Sequence, residues 1–226
     1  MKRNAFQLLF AMLLAAGCSG GDSAPDTSSA SSGLGIPSGT YAIDPTHAYV
    51  TFSYLHQDLS YPLLRATGVD GELALDVDSM ENSRADIAIR ADSIRTNTSY
   101  FDVELASPKF FNAGKYPYIT FTTDRYEIIS DSAGKLQGHV TIRGITKPLT
   151  LDVRINGAME HPMMGKPVIG VSASGHVNRS DFDLDRFIPA VADRVDILIE
   201  AEFLAGSSET SGAAAALAID ATAGSD

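Results

Sequence analysis

Five histidines, a single cysteine and a few basic residues are the side chains of this 226-residue chain with the most chemistry to offer. The histidines are His47, His56, His139, His161 and His176. Zinc sites draw three or four His, Cys or carboxylate ligands at recognisable spacing, and these five show none. His47 and His56 stand at opposite parity on one alternating segment, so a regular strand cannot aim both at one face. No Gly-x-Ser-x-Gly elbow is present, and neither is a P-loop or a dinucleotide fingerprint. Recognition remains. Arg143 and Lys147 border Gly144, and Arg179 follows Asn178 at the end of an alternating run. From such places basic groups hold a phosphate or carboxylate through charge-assisted hydrogen bonds; the other reading is structural pairing with Asp181, Asp183 or Asp185. His47 and His56 carry the same two readings, contact with a ligand head group or polar caps on the rim of the fold.

The elements that must position these groups are strands. Period-two alternation puts successive side chains on opposite faces of a strand. It is clearest in Arg84 to Asp92, where Ala85, Ile87, Ile89 and Ala91 alternate with mostly charged neighbours. It recurs in Val69-Leu73-Leu75-Val77, Leu136-Gly138-Val140-Ile142, Leu149-Leu151-Val153-Ile155 and Val195-Ile197-Ile199-Ala201-Phe203, and more weakly through Ala48-Val50-Phe52-Tyr54, Tyr118 to Thr123 and Ile169 to Val177. Turn residues separate the runs at 78–83, at 131–135, and at Asn156-Gly157 before a loop with Pro162 and Pro167. Tyr100, Phe101, Val103, Glu104 and Leu105 fit a short helix instead. The expected class is all-β, about eight antiparallel strands with one helical insert.

Eight strands with one apolar face either stack as a sandwich or close into a barrel, and closure alone removes the edges. An eight-stranded barrel is near the size at which side chains just fill the interior or leave space for one small ligand. The inward set would comprise Val50, Phe52, Tyr54, Val69, Leu73, Leu75, Ile87, Ile89, Ile119, Phe121, Val140, Ile142, Leu149, Leu151, Val153, Val171, Val195, Ile197 and Ile199. There is no Trp, and linings of medium-sized residues leave more room than aromatic ones. A ligand-free packed core is the other outcome. A membrane-spanning barrel would need an outward apolar band with aromatic girdles, which the charged outer positions do not provide.

The flanks differ in kind. Lys2 and Arg3 precede an almost wholly apolar Phe6–Ala16, too short for a bilayer span. Leu14-Ala15-Ala16-Gly17-Cys18 then resembles a bacterial lipoprotein signal, in which the cysteine becomes a lipid-bearing N-terminus, with Ala15 in place of the usual larger apolar residue. The expectation is a signal peptide over 1–17, lipidation at Cys18, a Ser/Gly-rich tether over 18–38, a barrel domain over 39–204 and a disordered low-complexity tail over 205–226. Ser19 lacks the Asp that favours inner-membrane retention in some bacteria, so the periplasmic face of the outer membrane is the expected location. The formal charge of −11 becomes −13 once the two positive residues of the signal are removed. That excess argues against nucleic acid as a partner and, for the same reason, disfavours anionic lipid surfaces; the oligomeric state stays open, with a homodimer one option.

Five stretches in order are similar to the YceI-like family of exported bacterial proteins: Tyr41 to Phe52 followed by His56, Ser93 to Asn97, Phe110 to Phe121, Gly138 to Pro148, and Asn178 to Phe182. The resemblance covers roughly Gly39 to Phe203. It implies a lipocalin-like barrel whose lumen binds a polyisoprenoid, an isoprenoid quinone or another long-chain amphiphile, with no catalytic residues established for the family as a group; no metal, on the histidine spacing above, and no cofactor besides that bound lipid are expected. Where family members often carry Arg-Asp-x-His-Leu, this chain has Phe101-Asp102-Val103-Glu104-Leu105, so a preference for an anionic head group is not expected. A ligand-free interaction module of the envelope, or an envelope enzyme using His47 and His56, are the alternatives.

Overall fold

A computed structural model describes residues 33–206. The signal peptide, Cys18, most of the tether and the tail beyond Gly206 lie outside the described residues. Ten strand segments occur in chain order, β1 (Gly39–Ser53), β2 (Leu63–Ala66), β3 (Val69–Leu75), β4 (Arg84–Arg90), β5 (Ile94–Arg95), β6 (Tyr118–Ser130), β7 (Ala133–Ile142), β8 (Ile145–Glu160), β9 (Pro167–Asn178) and β10 (Arg194–Ala205), with one helix, α1 (Ser99–Ala106), between β5 and β6. Every strand pair is antiparallel, and β10 returns to β1 to close the sheet. Ten segments make eight staves, because β2 and β3 lie end to end against β1, and β4 and β5 lie end to end against them. The expected eight-stranded barrel with a helical insert is therefore the fold.

The two broken staves break at the same height and are stitched there. Thr67 N donates to Ser93 O at 3.1 Å and Arg90 N to Gly68 O at 2.9 Å. A Cβ on Gly68 would lie 3.0 Å from that of Ser93, so the crossing admits only a glycine or a shift of its neighbour. The lumen is built by cross-strand pairs of the alternating residues, such as Val50 opposite Ile199 and Phe52 opposite Ile197, or Ile87 opposite Phe121 and Ile89 opposite Ile119.

Three boundaries differ from expectation. Asn156-Gly157 does not turn the chain; β8 runs through it to Glu160 with a register shift between Ile155 and Gly157. A bulge absorbs the extra residue and keeps the strand paired. Next, the chain is already packed within the segment assigned to the tether: Ile36 belongs to the core, Leu34 packs against it, and Tyr41 donates to Pro37 O at 2.6 Å. Two apolar residues among Ser and Gly found buried surface that their composition did not advertise. At the other end Ala205 closes β10, and Gly206 N donates to Thr40 O at 2.9 Å.

Registers fix the two ends of the barrel. Loops 54–62, 91–117, 143–144 and 179–193 crowd the upper end; loops 76–83, 131–132 and 161–166 form the lower one. No helix among the described residues is long and apolar enough to cross a membrane.

Candidate ligand cavity

The barrel is hollow. A cavity of about 580 Å³ runs along its axis, and all nineteen side chains assigned to the inward face line it. Along β10 the lining steps from Val195 near the upper end through Ile197, Ile199 and Ala201 to Phe203 near the lower. At about 3.3 Å per residue and a tilt near 40° that is a depth of roughly 20 Å.

Phe101, Leu105, Phe110, Phe111, Phe182 and Leu184 also line the cavity, and none belongs to the alternating set. They come from α1 and the upper loops, where the period-two signal does not apply. Phe101 and Phe110 meet edge to face at 5.9 Å between centroids. On the same helix Tyr100 and Val103 point to solvent. Lys109 Nζ holds Glu104 at 2.8 Å.

The mouth can be placed. Of the residues lining the cavity, only Gln57, Arg186, Phe187 and Ala190 are exposed, and all four sit on the upper loops 54–62 and 179–193. Those loops are tied together by Gln57 N to Ala190 O at 2.8 Å and Ala192 N to Leu55 O at 2.9 Å. Sequence reading missed this region; the clue was the short run Phe187-Ile188-Pro189-Ala190-Val191, apolar but outside any strand.

The five basic or histidine candidates do not converge on one spot. His56 lies at the mouth and Arg179 just inside it. Arg179 is spent on the protein: Nε donates to Ala192 O at 3.0 Å, Nη1 to Leu184 O at 2.7 Å and Arg186 O at 3.2 Å, and Nη2 to Val191 O at 2.9 Å. It staples the mouth loop. Burial lowers its pKa, against the neighbouring charges of Asp193, Tyr54 and Asp185; burial likewise raises that of Tyr54, with Arg179 opposing. Of the acids weighed as partners on the sequence, Asp181 gives way to Asp193, which accepts from Ser180 N and Oγ at 2.8 and 2.7 Å.

Arg143 and Lys147 do not line the cavity. Arg143 opens a two-residue hairpin with Gly144, both at positive φ (55° and 73°), as a type I′ turn requires. Its Nη1 donates to the carbonyl of Phe110, which fastens the hairpin to the segment after α1. Arg84, expected on the solvated face, instead borders the lower end of the cavity, its Nη1 donating to Glu81 O and Ser83 O at 2.8 Å each.

His47 is not at the mouth either. It stands on the outer wall, where β1 bulges between Ile43 and Ala48, with Nδ1 2.7 Å from Asp44 Oδ2 and 4.0 Å from Glu202 Oε2. The bulge is what brings Glu202 of β10 opposite, so spacing along the chain could not show the group. Asp44, His47 and Glu202 offer ligand atoms within 4.8 Å of one another, the one such trio among the described residues. Asp44 and His47 are already engaged: Asp44 Oδ1 accepts Thr46 N at 2.8 Å and Thr46 Oγ1 at 2.7 Å, and its Oδ2 takes His47 Nδ1. Burial pushes the Asp44 carboxyl up, but hydrogen bonds from His47 and Thr46 outweigh it and its pKa falls below the usual 3.8. The hydrogen bond to Asp44, then the charge of Glu202, raises His47 above 6.5.

A model of the YceI-like domain matches residues 41–203. The protein YceI of Salmonella newport (strain SL254) is 31% identical over 166 residues, spanning 72% of this chain and 85% of that protein. Among solved structures, the Campylobacter jejuni YCEI protein matches with a TM-score of 0.62 at 31% identity, over 67% of this chain and 90% of that one. A polyisoprenoid binding domain from Saccharophagus degradans shares the fold, with a TM-score of 0.57 at 12% identity over 74% and 98% of the two chains.

Proposed function

The chain belongs to the YceI-like domain family, and from that premise we propose that it holds one long apolar lipid, a polyisoprenoid or isoprenoid quinone, within the barrel as a carrier or buffer in the cell envelope. The observation that carries this reading is the 580 Å³ cavity walled almost throughout by aliphatic and aromatic side chains. At roughly the 30 Å³ that a water-sized group occupies in a liquid, it accommodates on the order of twenty carbons, or four isoprene units. Each buried methylene contributes about 0.8 kcal/mol, and even after the cost of association a micromolar constant, about 8 kcal/mol, is within reach. The name borne by the Saccharophagus degradans domain points to the same ligand class.

Binding, rather than turnover, fits the arrangement of groups. An enzyme built on His47 and His56 would need them in one site, and the first is on the outer wall at the β1 bulge while the second is at the mouth. Lipidation of Cys18 would hold the carrier at the periplasmic face of the outer membrane, with the segment before Leu34 as its tether. The test is to extract natively purified protein with organic solvent and identify the lipids by mass spectrometry, alongside uptake of farnesol and geranylgeraniol. Recovery of a stoichiometric isoprenoid is the expected result. An extract without lipid, together with no uptake of either alcohol, overturns the proposal.

A further inference from the structure

Six large apolar side chains are exposed on the upper end of the barrel: Leu59, Tyr61 and Leu63 from the loop and strand after β1, Tyr100 and Val103 from α1, and Phe187 from the loop before β10. Neighbouring elements carry them in an arc round the mouth; the lower end also exposes apolar side chains, Ile128, Ile129, Met159, Met163 and Met164, so charge is what tells the two ends apart. β2 pairs with β5, which leads into α1, and the loop after β1 is hydrogen-bonded to the loop before β10. Charge is divided along the same axis. The upper segments, residues 54–65, 90–118, 143–147 and 178–194, hold ten Lys and Arg against eight Asp and Glu. The rest of the described chain holds five against fifteen. A molecule with a net of +2 at its mouth and −10 over its body is an electrical dipole, and any anionic surface orients it mouth first.

We propose that this arc is a membrane-docking surface, on which the barrel seats its mouth against a lipid bilayer so that an apolar chain passes between bilayer and cavity without crossing water. Aromatic and aliphatic side chains flanked by Arg and Lys are the composition that settles at a bilayer interface. Here Arg186 lies over the Phe187 ring at 5.1 Å, and Arg65 over that of Tyr49 at 4.6 Å, so both cations can reach lipid phosphates while their stems lie along apolar surface. A chain in a bilayer is already out of water, so its transfer into the cavity gains little, and the obstacle is the aqueous gap between the two. Docking removes that gap. A second copy of the chain fits less well, since two mouth ends carry like net charge and would seal each other. The proposal takes the cavity as a lipid site, yet its test needs no lipid inside.

The chain has no tryptophan, so a single one reports on one place. Leu59 and Met163, on opposite ends, are 81% and 87% exposed, and neither Leu59→Trp nor Met163→Trp disturbs the core. Full-length variants are mixed with phosphatidylcholine vesicles, with and without phosphatidylglycerol, carrying brominated acyl chains. Attachment at the N-terminus would hold either variant to the vesicle, so the readout is which end meets the acyl chains. Leu59→Trp should shift to the blue and lose at least half its emission, more so with phosphatidylglycerol and less at high salt, while Met163→Trp stays unquenched. Replacing Leu59 and Tyr61 together by Ser should weaken partitioning by at least about tenfold. Equal quenching at both ends, stronger quenching at Met163→Trp, or none at Leu59→Trp overturns docking; the last result would assign the arc to a protein partner. Isoprenoid uptake by the same variants shows separately whether the cavity reading stands.

Discussion

Filling the cavity from within separates a binding site from a packing defect. Ala173, on β9, is buried, faces the lumen and sits in register with Val153 on one side and Ile199 on the other. Ala173→Phe adds six carbons, on the order of 150 Å³, about a quarter of the 580 Å³ available. A guest that fills the barrel then leaves some five methylenes outside, which by transfer energetics is up to about 4 kcal/mol, nearly three orders of magnitude in Kd. A chain that slides toward the mouth recovers part of this, so the expected loss for geranylgeraniol is at least about tenfold, with farnesol losing less. The unliganded protein should be no less stable than the parent by more than about 1 kcal/mol, because the ring enters existing space instead of overpacking a full core. Competition with a fluorescent fatty acid gives the affinities, and urea denaturation gives the stability. If Ala173→Phe folds normally and binds geranylgeraniol as tightly as the parent, the guest lies elsewhere and the reasoning fails.

Arg179→Ala removes the four hydrogen bonds that hold the mouth loop and should cost about 3–5 kcal/mol, with faster hydrogen exchange at Leu184–Ala192; Arg179→Lys, a point donor instead of a planar fork, should rescue less than half of it. The Asp44–His47 pair should stabilise within a pH window, seen as the difference in Tm between the parent and His47→Gln. The Asp44 contribution, from a lowered pKa, is present above 3.8 and lost as pH falls through the folded value; that of His47, from a raised pKa, is present below 6.5 and lost as pH rises through the folded value. The difference should peak between those limits, and a flat profile would remove the pair from the stability account. Across isoprenoid alcohols of increasing length, affinity by the same competition assay should rise to about twenty carbons and then level off; a continued rise would mean a larger site than the cavity described.

The wall of the site was legible because it obeys one rule. In a closed barrel every second residue of every stave faces the lumen, so period two in Val195-Ile197-Ile199 or Leu149-Leu151-Val153 gives fold and lining together. Where period two ends, so does legibility. Phe187 and Ala190 reach the mouth on an irregular loop, and Phe101 and Leu105 reach it on a helix of barely two turns. Period two already sets His47, opposite in parity to Val50, on the outer face of β1; what alternation could not show is the bulge between Ile43 and Ala48 that gathers Asp44 and Glu202 beside it. Arg179 shows the converse. Its residue type suggested a head-group ligand, and only the positions of four carbonyls reveal a structural role.

That commitment of Arg179 bears on how a guest is chosen. Arg84 is likewise tied to Glu81 and Ser83, and Glu104 to Lys109, so these charged groups near the ends of the cavity already have partners, and Arg186 at the rim is the lining cation left for a head group. Exchanging those partners for a ligand's phosphate or carboxylate would break protein hydrogen bonds as it made new ones, with little net gain. Apolar contact along the wall is non-directional and scales with area. Discrimination then rests on length, girth and branching of the tail, while the head group is left at Gln57, Arg186 and Phe187, where the mouth meets solvent or a bilayer. A barrel of this kind suits lipids that share a tail and differ in their heads.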